Sequence, residues 1–181
     1  MNKIAKYITA ALLAGAMAST DIYPAFASQG VTSVETYSDS GPGSDEAVEA
    51  EKETEEAELR QTIIAQALGC MGVGYVWGGE SPTSGMDCSG LIRYTIRQVL
   101  GIELPHSAAA QATLGTRISR DELQPGDLVF YSFEGKRIDH VAMYIGNGQI
   151  VHTSATKHKV VISNLDMGGT SPDAYVSLVG E

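Results

Sequence analysis

Cys88, one of two cysteines in the chain, stands where a glycine-rich segment meets a helical pattern. Closely spaced glycines over residues 72–87 are typical of a loop. Apolar residues at helical spacing then predict a helix over residues 88–100, ended by Gly101. The unpaired N–H groups and the positive dipole end of a helix start favour a thiolate and can hold an oxyanion. The position of Cys88 therefore predicts a nucleophile.

A thiolate nucleophile requires a base, and the base requires a group that orients it. Of the four histidines, His140 and His152 fall on two neighbouring predicted strands. His106 and His158 are interpreted as surface or capping residues. The chemistry thus depends on whether the first two histidines can meet.

The register of the hairpin decides this question, because side chains alternate between the two faces of a strand. A two-residue turn at Asn147 and Gly148 would place His140 and His152 on opposite faces. A three-residue loop that begins at Gly146, with Gly148 left-handed in a bulge, would place both on one face. The catalytic hypothesis therefore predicts the bulged, three-residue form.

The elements that must position these residues change from helices to strands along the chain. Helices are predicted over residues 53–71, 88–100 and 107–114, the last with Ser107 as its N-cap. Strands are predicted over residues 128–132, 141–145, 149–154, 159–164 and 175–179. This order predicts an α+β domain with N-terminal helices packed on an antiparallel sheet.

The first residues carry the pattern of an export signal. Lys3 and Lys6 precede an apolar run over residues 8–18, and Ala25 and Ala27 are small residues at a cleavage site. The apolar run is shorter than the roughly 20 residues that span a bilayer. We expect a signal peptide at residues 1–27, and no membrane span after its removal.

The net charge of −10 is concentrated in one segment. Between Gln29 and Glu58 the only base among ten acidic residues is Lys52, whereas the remaining chain is nearly neutral. Residues 28–58 are predicted to be an acidic disordered linker, and residues 59–181 the folded domain. Because no basic stripe is present, nucleic acid is not an expected partner.

Five ordered motifs together resemble the NlpC-type peptidoglycan peptidases over about residues 60–180. They are Tyr75-Val76-Trp77-Gly78-Gly79, Asp87-Cys88-Ser89-Gly90-Leu91, Pro125-Gly126-Asp127-Leu128-Val129-Phe130, the run from His140 to Gly148, and His152. The resemblance implies a papain-like fold in circularly altered order, with the nucleophile on a helix and both histidines on the sheet.

The resemblance also implies roles for single residues. Cys88 would attack an amide carbonyl, His140 would act as base and then acid, and His152 would hold the ring of His140. Tyr75 would donate to the oxyanion or the substrate. Asp87 and Ser89 would contact the substrate peptide. The implied bond joins γ-D-glutamate to a diamino acid in peptidoglycan stem peptides.

The start of the short helix departs from the family pattern. Many members carry an arginine in a Pro-Arg-x-Ser setting, where this chain has Pro105-His106-Ser107. The departure affects substrate recognition at this helix start and leaves the nucleophile unaffected.

Several residues have simpler structural interpretations. Trp77 is interpreted as a core aromatic residue, and Asp127 as a turn residue whose carboxylate bonds the backbone. Asp139 adjoins His140 but should face the opposite way. Cys70 is interpreted as a small buried thiol.

Two alternatives would change the class of protein. A Cys70–Cys88 disulfide would make a non-catalytic wall-binding module, and a zinc site of Cys88, His140 and His152 would make a metalloenzyme. An amidase or acyltransferase using the same Cys–His pair is the alternative among enzymes. The favoured interpretation is an exported, monomeric thiol protease of the cell wall that needs no metal or other cofactor.

Overall fold

The computed structural model describes residues 44–135 and 137–180. The predicted signal peptide at residues 1–27 and the first part of the predicted linker, residues 28–43, lie outside the described residues. Within the described ranges, no helix is both long enough and apolar enough to cross a membrane.

Three helices occupy the first half of the described chain. They are α1 (Ser44–Leu68), α2 (Cys88–Leu100) and α3 (Ala108–Gln111). Helix α1 begins inside the segment predicted to be a disordered linker, since its first half is rich in alanine and glutamate, which are strong helix formers. Its residues 46–55 are exposed, so this half of the helix adds little to the core.

The two shorter helices have the predicted boundary signals. The side chain of Asp87 caps α2, and Gly101 ends it in the left-handed conformation with φ of 67°. The hydroxyl of Ser107 accepts from the backbone N–H of Ala110 at 3.4 Å, as expected for the N-cap of α3. These caps place Cys88 at the first position of α2.

Eight strands of the described part of the chain form two antiparallel sheets. They are β1 (Glu80–Ser81), β2 (Gly85–Met86), β3 (Thr116–Ile118), β4 (Leu128–Tyr131), β5 (His140–Gly146), β6 (Gln149–Ser154), β7 (Lys159–Asn164) and β8 (Ala174–Ser177). Strands β1 and β2 make a small hairpin, and the other six form one sheet in the order β3-β8-β4-β5-β6-β7. The arrangement confirms the predicted α+β class, whereas β1, β2 and β3 were not predicted.

The core lies mainly between the helices and one face of the six-stranded sheet. Leu128 and Phe130 of β4 pack there with Ile92 and Ile96 of α2. Alternate strand residues, such as Val129, face a smaller cluster on the other side of the sheet. The packing of α2 on the sheet fixes the position of Cys88 relative to β5.

The hairpin of β5 and β6 has the register that the catalytic hypothesis requires, although the turn differs from the predicted one. Gly146 pairs with Gln149, so the turn has two residues, Asn147 and Gly148. Both have positive φ, 53° and 68°, as a tight type I′ turn requires. A bulge between Tyr144 and Gly146 then shifts the pairing by one residue. The extra residue therefore lies in strand β5, before the turn.

The glycine-rich loop before α2 is held by a close backbone approach. The N–H of Asp87 donates to the carbonyl of Gly79 at 2.9 Å. A side chain at Gly90 would collide with the same carbonyl. Gly90 is therefore needed for contact between this loop and the first turn of α2.

A buried ion pair joins α1 to the turn before β4. Arg60 Nη1 lies 2.8 Å from Asp127 Oδ1, and the two side chains are 8% and 1% exposed. Asp127 Oδ2 also accepts from the N–H of Gln124 at 2.8 Å, which is the predicted turn contact. The same carboxylate thus holds the turn and the helix.

We expect Asp127→Ala to lower the free energy of unfolding by about 2–3 kcal/mol, because the buried Arg60 loses its buried carboxylate and keeps only the partly exposed Glu56 at 2.9 Å. Denaturant unfolding followed by circular dichroism measures the change. Asp166→Ala is the matched control, since its pair with Arg120 is 44–45% exposed and exposed pairs contribute about 0–1 kcal/mol. Equal losses in the two variants would contradict the prediction.

Candidate active site

Cys88 is half-buried at the start of α2, with its thiol next to the beginning of β5. Burial raises the pKa of Cys88, and the charge of Asp87 raises it further. The backbone N–H groups of Val141, Ser89 and Cys88 itself act in the opposite direction and lower this pKa. Since Val141 follows His140 in the chain, its contact with the thiol places Cys88 beside the first residue of β5.

The two predicted catalytic histidines are in direct contact. Nε2 of His140 lies 2.9 Å from Nδ1 of His152, and the two rings meet edge to face with centroids 5.0 Å apart. Nε2 of His152 lies 3.0 Å from Oγ of Ser163 on β7. Because Nε2 of His140 is bonded to His152, Nδ1 is the ring nitrogen of His140 that can accept the proton of the thiol.

The pattern of bonds favours one set of tautomers. If Ser163 accepts from Nε2–H of His152, then Nδ1 of His152 is an acceptor and Nε2 of His140 is the donor. Nδ1 of His140 then carries a lone pair, which a general base requires. Ser163 was not predicted as a site residue, because the sequence does not give the register of β6 against β7.

Both histidines are held in the neutral form. Burial, and then the neighbouring His152, lower the pKa of His140 to about 3. Burial, and then Lys157, lower the pKa of His152 to about 4. The helix N–H groups favour the thiolate, but burial is the larger effect on Cys88 and, together with the charge of Asp87, raises its pKa in the free protein.

Aromatic side chains support the ring of His140. Tyr131 and Phe133 stack with centroids 5.4 Å apart, and their centroids lie 6.0 Å and 5.6 Å from that of His140. The hydroxyl of Tyr131 donates to the carbonyl of Leu165 at 2.7 Å, which fixes its ring. The imidazole is thus limited to a narrow range of orientations.

Asp87 is the centre of a polar cluster at the helix start. It is buried, and its Oδ1 accepts from the N–H of Gly90 at 2.7 Å and from the hydroxyl of Ser89 at 3.0 Å. Its Oδ2 accepts from the N–H of Gly78 at 2.9 Å. The charges of Asp87 and Cys88, after burial, raise the pKa of Tyr75, so its phenol lies near both.

His106 also belongs to this cluster, so its interpretation as a surface or capping residue is wrong. Its Nε2 lies 3.0 Å and 3.1 Å from the two carboxylate oxygens of Asp87. Its side chain is 23% exposed. The sequence indicated a role for His106 only through its position, because His106 replaces the arginine of the family pattern just before α3.

Gln111 is a second residue that the sequence did not single out. Its side chain is fully buried, and Nε2 donates to the carbonyls of Ser89 and Pro105 at 3.0 Å and 2.8 Å. The amide thus ties the first turn of α2 to the segment that carries His106. It holds the two sides of the polar cluster together.

Trp77 is 85% exposed, so its assignment to the core is wrong; the loop of residues 72–79 lies on the surface. Asp139 accepts from the N–H groups of Phe133 and Glu134 and does not orient His140. Cys70 is buried, and both cysteines are free thiols, which excludes the Cys70–Cys88 disulfide.

The arrangement of side chains at the site differs from that of a metal centre. Among residues 44–135 and 137–180, no three His, Cys, Asp or Glu side chains are grouped as a metal site. The contact between His140 and His152 uses ring nitrogens that a metal would need. The candidate site is therefore described by its thiol and its imidazoles.

A half-buried thiol at a helix start, next to two bonded histidines on an antiparallel sheet, defines a site of the papain-like cysteine peptidase class. Residues 72–178 match the model of the NlpC/P60 family. The chain belongs to the NlpC/P60 family of cysteine peptidases.

The relatives that match this domain are named as a hydrolase and an endopeptidase. The chain is 40% identical over 104 residues to the gamma-DL-glutamyl hydrolase of Bacillus subtilis (strain 168), covering 57% of this chain and 25% of the relative. It is 46% identical over 90 residues to the probable endopeptidase p60 of Listeria monocytogenes, covering 50% and 18%. The chain thus spans about a fifth to a quarter of the length of these relatives.

A solved structure shows the same fold. The peptidoglycan hydrolase RipB of Mycobacterium tuberculosis superposes with a TM-score of 0.61 at 31% identity, covering 71% of this chain and 68% of that chain. The recognised family and the predicted fold class are both confirmed.

Proposed function

We propose that the protein is a cell-wall hydrolase that cleaves peptidoglycan stem peptides between γ-D-glutamate and a diamino acid. The observation that carries the proposal is the bond between His140 and His152 beside the thiol of Cys88, in a domain of the NlpC/P60 family. The names of the relatives, an endopeptidase, a glutamyl hydrolase and a peptidoglycan hydrolase, support the substrate class.

In the first half of the reaction, the sulfur of Cys88 attacks the amide carbonyl carbon. Nδ1 of His140 takes the thiol proton as the C–S bond forms, and then donates it to the leaving nitrogen as the C–N bond breaks. The backbone N–H of Cys88 and the hydroxyl of Tyr75 are the proposed donors to the oxyanion. The products of this half are a thioester and a free amine.

In the second half, water attacks the thioester carbonyl. His140 takes a proton from the water and returns it to the sulfur as the C–S bond breaks, which leaves a free thiol and a γ-carboxyl group that releases its own proton to solvent. His152 accepts from Nε2–H of His140 throughout, so it stabilises the imidazolium that forms in each half. A neutral thiol and neutral imidazoles in the free protein suit this mechanism, because the catalytic groups then bury no charge before substrate binds.

Recognition of the acyl part is assigned to the polar cluster around Asp87. The carboxylate and the neighbouring Ser89, with Tyr75 opposite, present one negative charge and two hydroxyl groups next to the nucleophile. This set suits a short peptide with an amino group. His106 is bonded to the same carboxylate and limits how much of it the substrate can use.

Digestion of purified muropeptides, with the products identified by mass, tests the proposal. The expected products are a fragment ending in D-glutamate with a free γ-carboxylate and a peptide beginning with the diamino acid. Release of an intact stem peptide from its sugar would indicate the amidase alternative. Absence of any cleavage, with the Cys88 thiol shown to be free by titration, would contradict the proposed function.

We also propose that the protein is exported, with cleavage after Ala27 and an acidic segment at residues 28–58 before the catalytic domain at residues 59–181. The basic residues, the apolar run and the small residues of the first segment support this. N-terminal sequencing of the protein recovered outside the cytoplasm should begin at Ser28. An intact N-terminus in that fraction would contradict it.

Ser163 is expected to position His152. Ser163→Ala should lower kcat about three- to tenfold, as for loss of one hydrogen bond, and leave KM unchanged. Ser163→Thr keeps the hydroxyl and should restore most of kcat. Steady-state kinetics on muropeptides, with thermal unfolding as the check on stability, measure both. A change in KM alone would contradict the positioning role.

A further inference from the structure

A groove of about 660 Å³ lies beside the two histidines, and Asp87 and the residues bonded to it are not part of its lining. Its volume is in the range of pockets that bind small molecules. It runs between the turn joining β6 to β7 and the segment after β7. The residues that matter to its chemistry are Phe133, His140, His152, Lys157, Ser163 and Asp166.

The position of the groove identifies which half of a substrate it would hold. His140 and His152 line it, whereas Cys88, Tyr75 and Asp87 do not. His140 must donate its proton to the leaving nitrogen, so the leaving part of the substrate lies on the side of the imidazole. The groove therefore continues from the leaving nitrogen, away from the acyl part.

The charges that line the groove are not equivalent. Both oxygens of Asp166 are occupied, by Arg120 at 2.9 Å and 2.8 Å and by the hydroxyl of Ser171 at 2.8 Å. Lys157 is exposed, and within the described part of the chain no carboxylate lies within 4.0 Å of its ammonium. The free charge presented to a ligand by the described lining is thus positive.

The backbone that carries Lys157 is held in place. Its N–H donates to Oγ of Ser154 at 3.1 Å, and the next residue, His158, has a left-handed φ of 56°. The carbonyl of His158 accepts from the N–H of Tyr75 at 2.9 Å. The turn is therefore attached to the loop of the acyl side, and Lys157 projects from a fixed support.

We propose that this groove binds the leaving part of the substrate and that Lys157 selects leaving residues with a free carboxylate. The proposal rests on the proposed function and adds a specificity residue to it. A C-terminal diamino acid carries its carboxylate on the Cα next to the leaving nitrogen, and Lys157 lines the groove that continues from that nitrogen. A carboxamide at the same place has the shape of the carboxylate but cannot form an ion pair with Lys157.

A matched pair of peptides tests this selection. One is L-alanyl-γ-D-glutamyl-L-lysine, and the other is the same peptide with a C-terminal carboxamide. The wild-type protein should cleave the acid about fivefold faster in kcat/KM, the range of an exposed charge pair. Lys157→Met should reduce this ratio to about one, and Lys157→Arg should retain it.

Lys159→Met is the control, because Lys159 is equally exposed on β7 but does not line the groove. It should keep the fivefold ratio. A ratio near one in the wild-type protein, or an unchanged ratio in Lys157→Met, would overturn the proposal while the proposed function stands.

The affinity of the Cys88→Ser variant for the two peptides, measured by calorimetry, separates the groove from catalysis. The variant should bind the acid about fivefold more tightly, and the double variant with Lys157→Met should bind both equally. Cleavage of neither peptide by the wild-type protein would contradict the proposed function, and the binding ratio would still decide the role of Lys157. Equal affinities would overturn it.

Discussion

Cys88→Ser is expected to lower kcat/KM on stem peptides by at least about a thousandfold, with the fold unchanged. The effect is large because the sulfur forms the covalent intermediate, and removing a nucleophile removes the whole pathway. A serine hydroxyl is a much weaker acid than the thiol, and the hydrogen-bond partner of His140 is the neutral ring of His152 rather than a carboxylate. Mass-resolved digestion of muropeptides, with circular dichroism as the check on folding, measures the result.

The other cysteine provides a matched control. Cys70 is 2% exposed, and burial raises the pKa of its thiol, so it is unreactive and contributes only packing. Cys70→Ala should keep kcat/KM within about twofold and lower stability by about 1 kcal/mol through the small cavity. Rapid alkylation that inactivates Cys70→Ala but leaves Cys88→Ser unlabelled would identify the nucleophile. Activity retained in Cys88→Ser would exclude the thioester mechanism.

His140→Gln is expected to lower kcat by about 10²–10⁴-fold, the usual contribution of a general acid–base group. Glutamine preserves much of the volume against Tyr131 and Phe133 but cannot shuttle a proton. Binding of substrate to the variant, measured by calorimetry, should change little. The loss should therefore lie in kcat and leave KM largely unaffected.

His158→Asn is the control for His140→Gln. His158 is exposed and left-handed, and asparagine tolerates that conformation. The control should retain full activity. A comparable loss in both variants would show that histidine removal acts on the fold, and the assignment of His140 as base would then be wrong.

The pH profile of the wild-type protein should reflect the neutral pair. His140 must be neutral to act as base, and its pKa of about 3 places the acid limb of kcat/KM well below the usual 6.5 of histidine. The raised pKa of Cys88 keeps the thiol protonated, so its alkylation rate should still be rising above pH 9. An alkylation rate already constant at pH 6 would instead indicate a resting ion pair.

The same pKa values affect stability with a defined sign. The unfolded chain binds protons at both histidines near pH 6.5, whereas the folded protein binds them only near pH 3–4. The free energy of unfolding should therefore fall as pH drops from about 6.5 towards 4, by at most about 1.4 kcal/mol per pH unit for each histidine. Rates at low pH must be measured where circular dichroism still shows the folded state.

Local patterns were sufficient for the elements that carry the nucleophile and the base. Helix α2 begins at Cys88 and ends before Gly101 as its capping signals predicted, and β6 and β7 have their predicted bounds. Periodicity and caps depend on neighbours within a few residues, so one sequence is enough to recognise them. The position of His140 and His152 on one face of the sheet was also predicted. It follows from the alternation of side chains along each strand once the register of the hairpin is assumed.

Contacts between distant segments were not predictable in this way. His106 bonds Asp87 across 19 residues, and Ser163 bonds His152 across a strand pair, neither with a local pattern. Trp77 was assigned to the core on its residue type, but the loop that carries it lies on the surface. Helix α1 extends beyond its apolar stripe because alanine and glutamate favour helix without burial.

The bulge between Tyr144 and Gly146 gives the hairpin the equivalent of a reading frame. The turn at Asn147 and Gly148 would form with or without the bulge, and the strands on either side would still pair. Deletion of Ile145 would remove the bulge but keep Tyr144 opposite Ile150, so His140 and His152 would stay on one face. If every residue were kept and the bulge were lost, Ile145 would pair with Ile150, and His140 would turn to the opposite face from His152 while the sheet kept its hydrogen bonds. A protein in that slipped register would have the same fold and the same sequence without the catalytic pair. The bulge, and not the length of the hairpin, therefore separates the fold from the activity.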